Sequence, residues 1–142
     1  MNDRSPAQLY ALIFGAVLLA AGILGFFYET SFATGDDTLV ERDAVLGLLD
    51  VNGWHNVVHI ASGLVGLAVA GSYRNARLYA LGFGGVYLLV TILGFMAGDG
   101  DSILSLIPIN TEDNILHLLI AVAGIGAGLA TPAEGRPAAR TA

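Results

Sequence analysis

A chain of 142 residues that is 55% hydrophobic and only 13% charged, with a mean hydropathy of +0.70, lies outside the soluble class, where about a quarter of residues are charged. The formal charge of −6 excludes a nucleic-acid partner, which would want a basic stripe, and the lack of cysteine excludes disulfides, thiolate metal sites and thiol nucleophiles. What remains is a protein of the lipid bilayer, and nineteen glycines in so apolar a chain suit close helix packing there.

Four apolar runs are read as helices, at about 7–27, 54–71, 76–97 and 113–130. Crossing a hydrocarbon core takes about 20 residues, with a range of roughly 17–25, so all four qualify. The first run follows Arg4 and exceeds the roughly 7–15 residues of a signal-peptide core, with no A-x-A site after it, so an uncleaved span is expected. An acidic loop follows, closing on a short apolar segment at 45–51. Arg74 and Arg77 occupy the short link between the second and third runs. A second acidic loop carries another apolar segment, 103–109, which Pro108 can break, and both segments are expected to be buried at the outer interface or bundle mouth. The tail, 132–142, is expected to be disordered, leaving one domain over 1–131.

Arginines set the orientation. Arg4, Arg74, Arg77, Arg136 and Arg140 fall at the termini and the middle link, which places both termini inside. Glu29, Asp36, Asp37, Glu41, Asp43, Asp50, Asp99, Asp101, Glu112 and Asp113 fall in the two remaining loops, opposed only by Arg42, which places these acidic loops outside. Tyr28 and Trp54 then mark the outer boundary, and Tyr10, Tyr73 and Tyr79 the inner one.

The order hides a repeat. Val45-Leu46-x-Leu48-Leu49-x-Val51-Asn52 lies over Ile103-Leu104-x-Leu106-Ile107-x-Ile109-Asn110, and Ile23-Leu24-Gly25-Phe26 over Ile92-Leu93-Gly94-Phe95. Each half is a helix, an acidic outer loop and a returning helix. The fold class expected is an all-α integral membrane protein, four transmembrane helices forming two parallel-repeat hairpins in an antiparallel bundle.

The pattern Asn-x3-Asn-x2-His opens both returning helices, as Asn52, Asn56, His59 and as Asn110, Asn114, His117. Asn52 and Asn110 suit N-caps, and Asp113 completes a capping box. Helical periodicity puts Asn56, His59, Gly63, Gly66 and Ala70 on one face, and Asn114, His117, Ala121, Gly124 and Gly128 on another. The partner helices show Ala11, Gly15, Leu18, Gly22, Gly25 and Ala80, Gly84, Tyr87, Thr91, Gly94. Polar side chains on such faces turn inward, and ionisable ones at membrane depth are functional candidates. One reading is a polar clasp in which His59 and His117 bond across the bundle, with Asn56 and Asn114 satisfying their other nitrogens. Others are a paired-histidine haem site, and a metal site with His55 as third ligand beside His59 and His117, although no H-E-x-x-H or comparable spacing supports a metal. Quinone, lipid or proton handling completes the set. His55, next to Trp54, is expected at the exposed interface, and the hydroxyls of Tyr87 and Thr91 on nearby backbone.

The stretch Gly47-Leu-Leu-Asp-Val-Asn-Gly-Trp-His-Asn-Val-Val-His-Ile-Ala-Ser-Gly-Leu-Val-Gly66 resembles a family of small prokaryotic four-helix membrane proteins catalogued as domain of unknown function 4383, as does Ile107-Pro-Ile-Asn-Thr-Glu-Asp-Asn-Ile-Leu-His-Leu118. Members carry H-N-x-x-H in the second helix, here His55, Asn56 and His59. They carry P-x-N-x-x-D-N-x-x-H entering the fourth, here Pro108, Asn110, Asp113, Asn114 and His117. The resemblance covers the chain from the first helix to Ala130, departs only in the acid-rich first outer loop, and implies a prokaryotic plasma-membrane location. It implies no activity. With no nucleophile–base pair and no phosphate loop in the sequence, the expectation is a non-catalytic structural or accessory subunit without a cofactor. It would act by helix contacts in a homo-oligomer or larger membrane complex. The alternatives are a haem- or metal-binding module using His59 and His117, and a small proton-linked carrier.

Overall fold

A computed structural model of the chain describes residues 4–39 and 44–133. Expectations that concern Glu41, Arg42, Asp43, Arg136, Arg140 and the tail from 134 onward lie outside the described residues. The fold is helical, with α1 (Pro6–Gly25), α2 (Gly53–Val69), α3 (Tyr73–Ala97) and α4 (Thr111–Ala130), plus a 3₁₀ turn at Gly35–Leu39 and two short strands, β1 (Asp101–Ile103) and β2 (Ile107–Ile109). Three of the helices, α1, α3 and α4, are long and apolar enough to cross a membrane. The fourth, α2, has 17 residues.

Each helix begins where a short polar side chain takes up an orphan N–H of the first turn. Ser5 forms a capping box with Gln8 ahead of Pro6. Ser72 accepts from the Asn75 amide, so α3 starts at Tyr73, ahead of its apolar run. Asn52 accepts from the His55 amide and Asn110 from that of Asp113, each at 2.9 Å.

Small residues decide the packing. Helix α1 lies along α2 and α3 along α4, with lighter contact between the two pairs. A Cβ added at Gly15 would stand 2.9 Å from the Leu67 nitrogen, and one at Gly84 would stand 2.7 Å from that of Ile125. Only glycine permits so close a backbone approach. The opposite faces present Leu9, Ile13, Val17, Leu89, Ile92 and Val122, all exposed apolar side chains of the kind lipid covers.

Tyr10 and Tyr79 correct the sequence reading. They do not form an interfacial belt: they are 5% and 6% exposed and meet inside the bundle, ring centroids 6.1 Å apart. The reason is that their hydroxyls find carbonyls there. Tyr10 donates to Ile120 and Tyr79 to Ser62, so burial leaves no orphaned group.

At the other end the two apolar segments, expected to be buried at the outer interface or bundle mouth, fold as tight turns over the helix starts, one of them a small β-hairpin. Val45 pairs with Leu49, and β1 pairs antiparallel with β2, Ile103 opposite Ile107. Alternation buries Val45, Val51, Ile103 and Ile109 and leaves Leu46 and Leu104 outward at the tips. Both tip leucines open three-residue turns in left-handed backbone, φ 56° and 53°, a conformation that a leucine resists. The turns are locked crosswise. Asn52 donates its side-chain amide to the Leu106 carbonyl, 2.6 Å, and Asn110 donates to that of Leu48, 2.7 Å. The Asp50 amide donates to the Asp113 carboxylate, 3.0 Å.

Candidate functional site

Beneath these turns three imidazoles converge. His55 and His59 come from consecutive turns of α2, and His117 comes from α4. Ring centroids lie 4.4 Å apart for His55 and His59, 5.9 Å for His55 and His117, and 6.3 Å for His59 and His117. One ring nitrogen from each lies within 4.8 Å of the other two. His55 is 2% exposed and His117 4%, with His59 half-buried. His55 is therefore not the exposed interfacial residue expected beside Trp54. One helical position separates the two, about 100° of rotation, which sends Trp54 to the surface and His55 to the interior.

Each ring has a different polar environment. The Nδ1 of His55 lies 3.0 Å from the Asp50 carbonyl. A carbonyl can only accept, so this nitrogen carries the proton and Nε2 keeps a free lone pair. The Nδ1 of His117 is buried with no hydrogen-bond partner. The Tyr87 ring stands 5.3 Å from that of His117, and its hydroxyl is buried and unpartnered too. That differs from the expected backbone bond, which Thr91 alone makes, donating to the Tyr87 carbonyl at 2.8 Å. Beside the rings is a cavity of about 80 Å³ lined by the three histidines, Ser62, Phe83 and Tyr87 among others.

The asparagines of the motif do not reach the histidines, so the expected clasp does not form. Asn56 donates to the Glu29 carbonyl, 2.9 Å, and its oxygen lies against Gly25 of α1. The Asn114 oxygen lies against Gly94 of α3 in the same way. The physical cause is a difference in partner. Each asparagine is three residues from its histidine, enough rotation to face the helix of its own pair while the imidazole faces the centre. The caps Asn52, Asn110 and Asp113 sit above the cluster and hold the turns over it.

Chemically, three imidazoles that each bring one ring nitrogen within 4.8 Å of the other two could serve as a ligand set for a transition metal. Imidazole suits zinc, copper, iron and nickel, and the carbonyl bond at His55 fixes the tautomer that such a ligand needs. The sequence carries a sign of this, although it holds no H-E-x-x-H. His55 and His59 are spaced i, i+4, the spacing at which two histidines of that motif share one metal, with asparagine here where the motif has glutamate.

The family model described as Domain of unknown function (DUF4383) matches residues 8–130. No curated protein and no solved structure matches the chain.

Proposed function

The chain belongs to that family of unknown function, and from its own residues we propose that it is a small non-catalytic membrane module that binds a transition-metal ion between His55, His59 and His117. The observation that carries this reading is the convergence of three ligand nitrogens within 4.8 Å of one another. Nitrogens sharing a tetrahedral zinc at about 2.0–2.1 Å stand roughly 3.3 Å apart, so closing on an ion asks each ring to move by about 1 Å or less. An ion would also give the His117 ring, whose Nδ1 is an orphan, a partner at membrane depth, where an unmet polar group is costly. With three protein ligands the fourth position is left to a small molecule in the adjoining cavity.

Haem fits less well. Pockets for ligands of that size run to several hundred Å³, and the cavity here is about 80 Å³. A proton-linked carrier would want titratable groups leading away from the histidines. Among the described residues the interior below them holds glycines, Tyr10 and Tyr79, and no acid.

All four helices cross the bilayer in this reading. The 17 residues of α2 span about 26 Å, and its ends are tied to the same levels as those of its neighbours, at Asn52 above and through the Gln8 amide on the Ala70 carbonyl below. The termini lie inside and the acidic loops outside, in a prokaryotic plasma membrane. The two helix pairs are parallel repeats, a view supported by the matched Asn–Gly contacts and crossed Asn–carbonyl bonds. The exposed helix faces suit a homo-oligomer or a larger membrane complex in which the module is an accessory part.

The test is a cobalt titration of the purified protein followed by visible absorption. One ion per chain is expected, with a tetrahedral spectrum that His55→Ala, His59→Ala and His117→Ala each weaken by at least tenfold. Binding that none of the three variants alters would overturn the assignment. If the histidines serve only to hold the helices together, His59→Gln would cost up to about 1–2 kcal/mol of stability with no metal bound to the parent protein.

A further inference from the structure

The end of the bundle away from the histidines carries Arg4, Arg74 and Arg77 and, among the described residues, no acid. Arg74 and Arg77 stand three residues apart, at the second and fifth positions of α3, hence side by side. That is a poor place for two cations, which repel each other and face the positive end of the helix dipole. Neither forms an ion pair with any described residue. The arrangement is one that an anion would complete.

The surroundings are built rather than incidental. Arg74, Arg77, Tyr73, Leu78 and Ala133 line a surface cavity of about 340 Å³. Its wall is the segment after α4, pinned from three sides. The Arg77 Nε donates to the Thr131 carbonyl, 2.7 Å, and the Tyr73 hydroxyl donates to the Pro132 carbonyl, 3.0 Å. The Thr131 hydroxyl accepts from the Ala7 amide, 3.0 Å, and donates to the Ala127 carbonyl, 2.8 Å, and Thr131 itself is wholly buried. Because the Arg77 Nε is held by the wall, its planar fork is fixed in place, and among the described residues its terminal nitrogens have no partner. Leu78, 56% exposed, continues the cavity onto the lipid-facing side of α3.

We propose that Arg74 and Arg77 bind the phosphate group of an anionic phospholipid whose acyl chains run down over Leu78. A guanidinium fork matches two phosphate oxygens at once, where an ammonium offers only a point charge. All six basic residues of this chain are arginine. In the orientation proposed above, this end faces the cytoplasmic leaflet, whose anionic lipids attract such pairs. The site does not depend on the metal reading, and its test does not depend on orientation.

The experiment is native mass spectrometry of the full chain in detergent with added phosphatidylglycerol, phosphatidylcholine or inorganic phosphate. Phosphatidylglycerol should be retained roughly tenfold or more over phosphatidylcholine, on the scale of about 1 kcal/mol per arginine. The double variant Arg74→Gln/Arg77→Gln should lose that preference, and the lysine pair should keep part of it. The single variant Arg74→Gln, at an exposed position, should lose a share of it with unchanged helicity. Equal lipid retention by the parent and the double variant would sink the proposal. Inorganic phosphate binding as tightly as the lipid, and lost in the double variant, would leave the phosphate site standing and overturn the lipid as its source.

Discussion

The side-chain oxygens of Asn56 and Asn114 are buried with no hydrogen-bond donor, a costly state that occurs in both helix pairs. Each points at the place where a glycine of the neighbouring helix, Gly25 or Gly94, lacks a Cβ. The hydrogen standing there in its stead points at the oxygen, a Cα–H···O contact worth about half of an ordinary hydrogen bond. An alanine would remove that hydrogen and put a methyl into the oxygen. Gly25→Ala and Gly94→Ala should therefore each lower stability by about 1–3 kcal/mol in thermal unfolding. Gly126→Ala, where an added Cβ meets nothing within 4 Å, should be close to neutral. Adding Asn56→Ala to Gly25→Ala should recover part of the loss, and no recovery would separate the glycine from the asparagine. The inward faces of all four helices were legible from a 3.6-residue period, because that period is all they require. The partner each side chain meets was not, because a rotation of 100° per residue sends neighbours such as Trp54 and His55 to different surroundings.

Between elements, the crossed bonds of Asn52 and Asn110 do two jobs with one side chain. The oxygen caps its own helix and the nitrogen grips the opposite turn. Asn52→Ala should cost about 2–3 kcal/mol, a cap plus a part-buried hydrogen bond, and Asn110→Ala about 1–2 kcal/mol, since its cross-turn bond is exposed. Asn52→Ser should keep the cap and lose the reach, falling between the asparagine and alanine proteins in chemical unfolding. Equal stability of the serine and asparagine proteins would show that the grip contributes nothing. The capping asparagines could be named from sequence because capping is local. Their second bond could not, since it spans 54 residues in one direction and 62 in the other. Nor were β1 and β2 legible, as three-residue strands carry too little alternation to declare themselves, and Pro108 argues against a strand unless it lies at an edge.

At the scale of the molecule, charge is divided between the two ends. Every described acid lies at the end with the histidines, and every described arginine at the other. With no native cysteine in the chain, single cysteines can report sidedness cleanly. Introduced at Asp37 and Asp101, they should react with an impermeant maleimide in intact cells, whereas labelling only after lysis would invert the orientation. Membrane character was legible from composition alone, because lipid-facing helices need nothing more specific than apolar bulk. The metal-competent pocket was not, because it depends on two helices from different pairs meeting at one depth.

The bond from the Asp50 amide to Asp113 has one more implication. Under the repeat proposed above, Asp50 is matched by Pro108, whose nitrogen has no hydrogen to give, and Asp113 by His55. An acid at 55 would lack that cross-turn donor and keep only a capping-box amide of the kind that Asn110 gives Asp113, and a third imidazole stands in its place. A perfect duplicate would offer the pocket only two; the imperfection supplies the one that makes a metal thinkable.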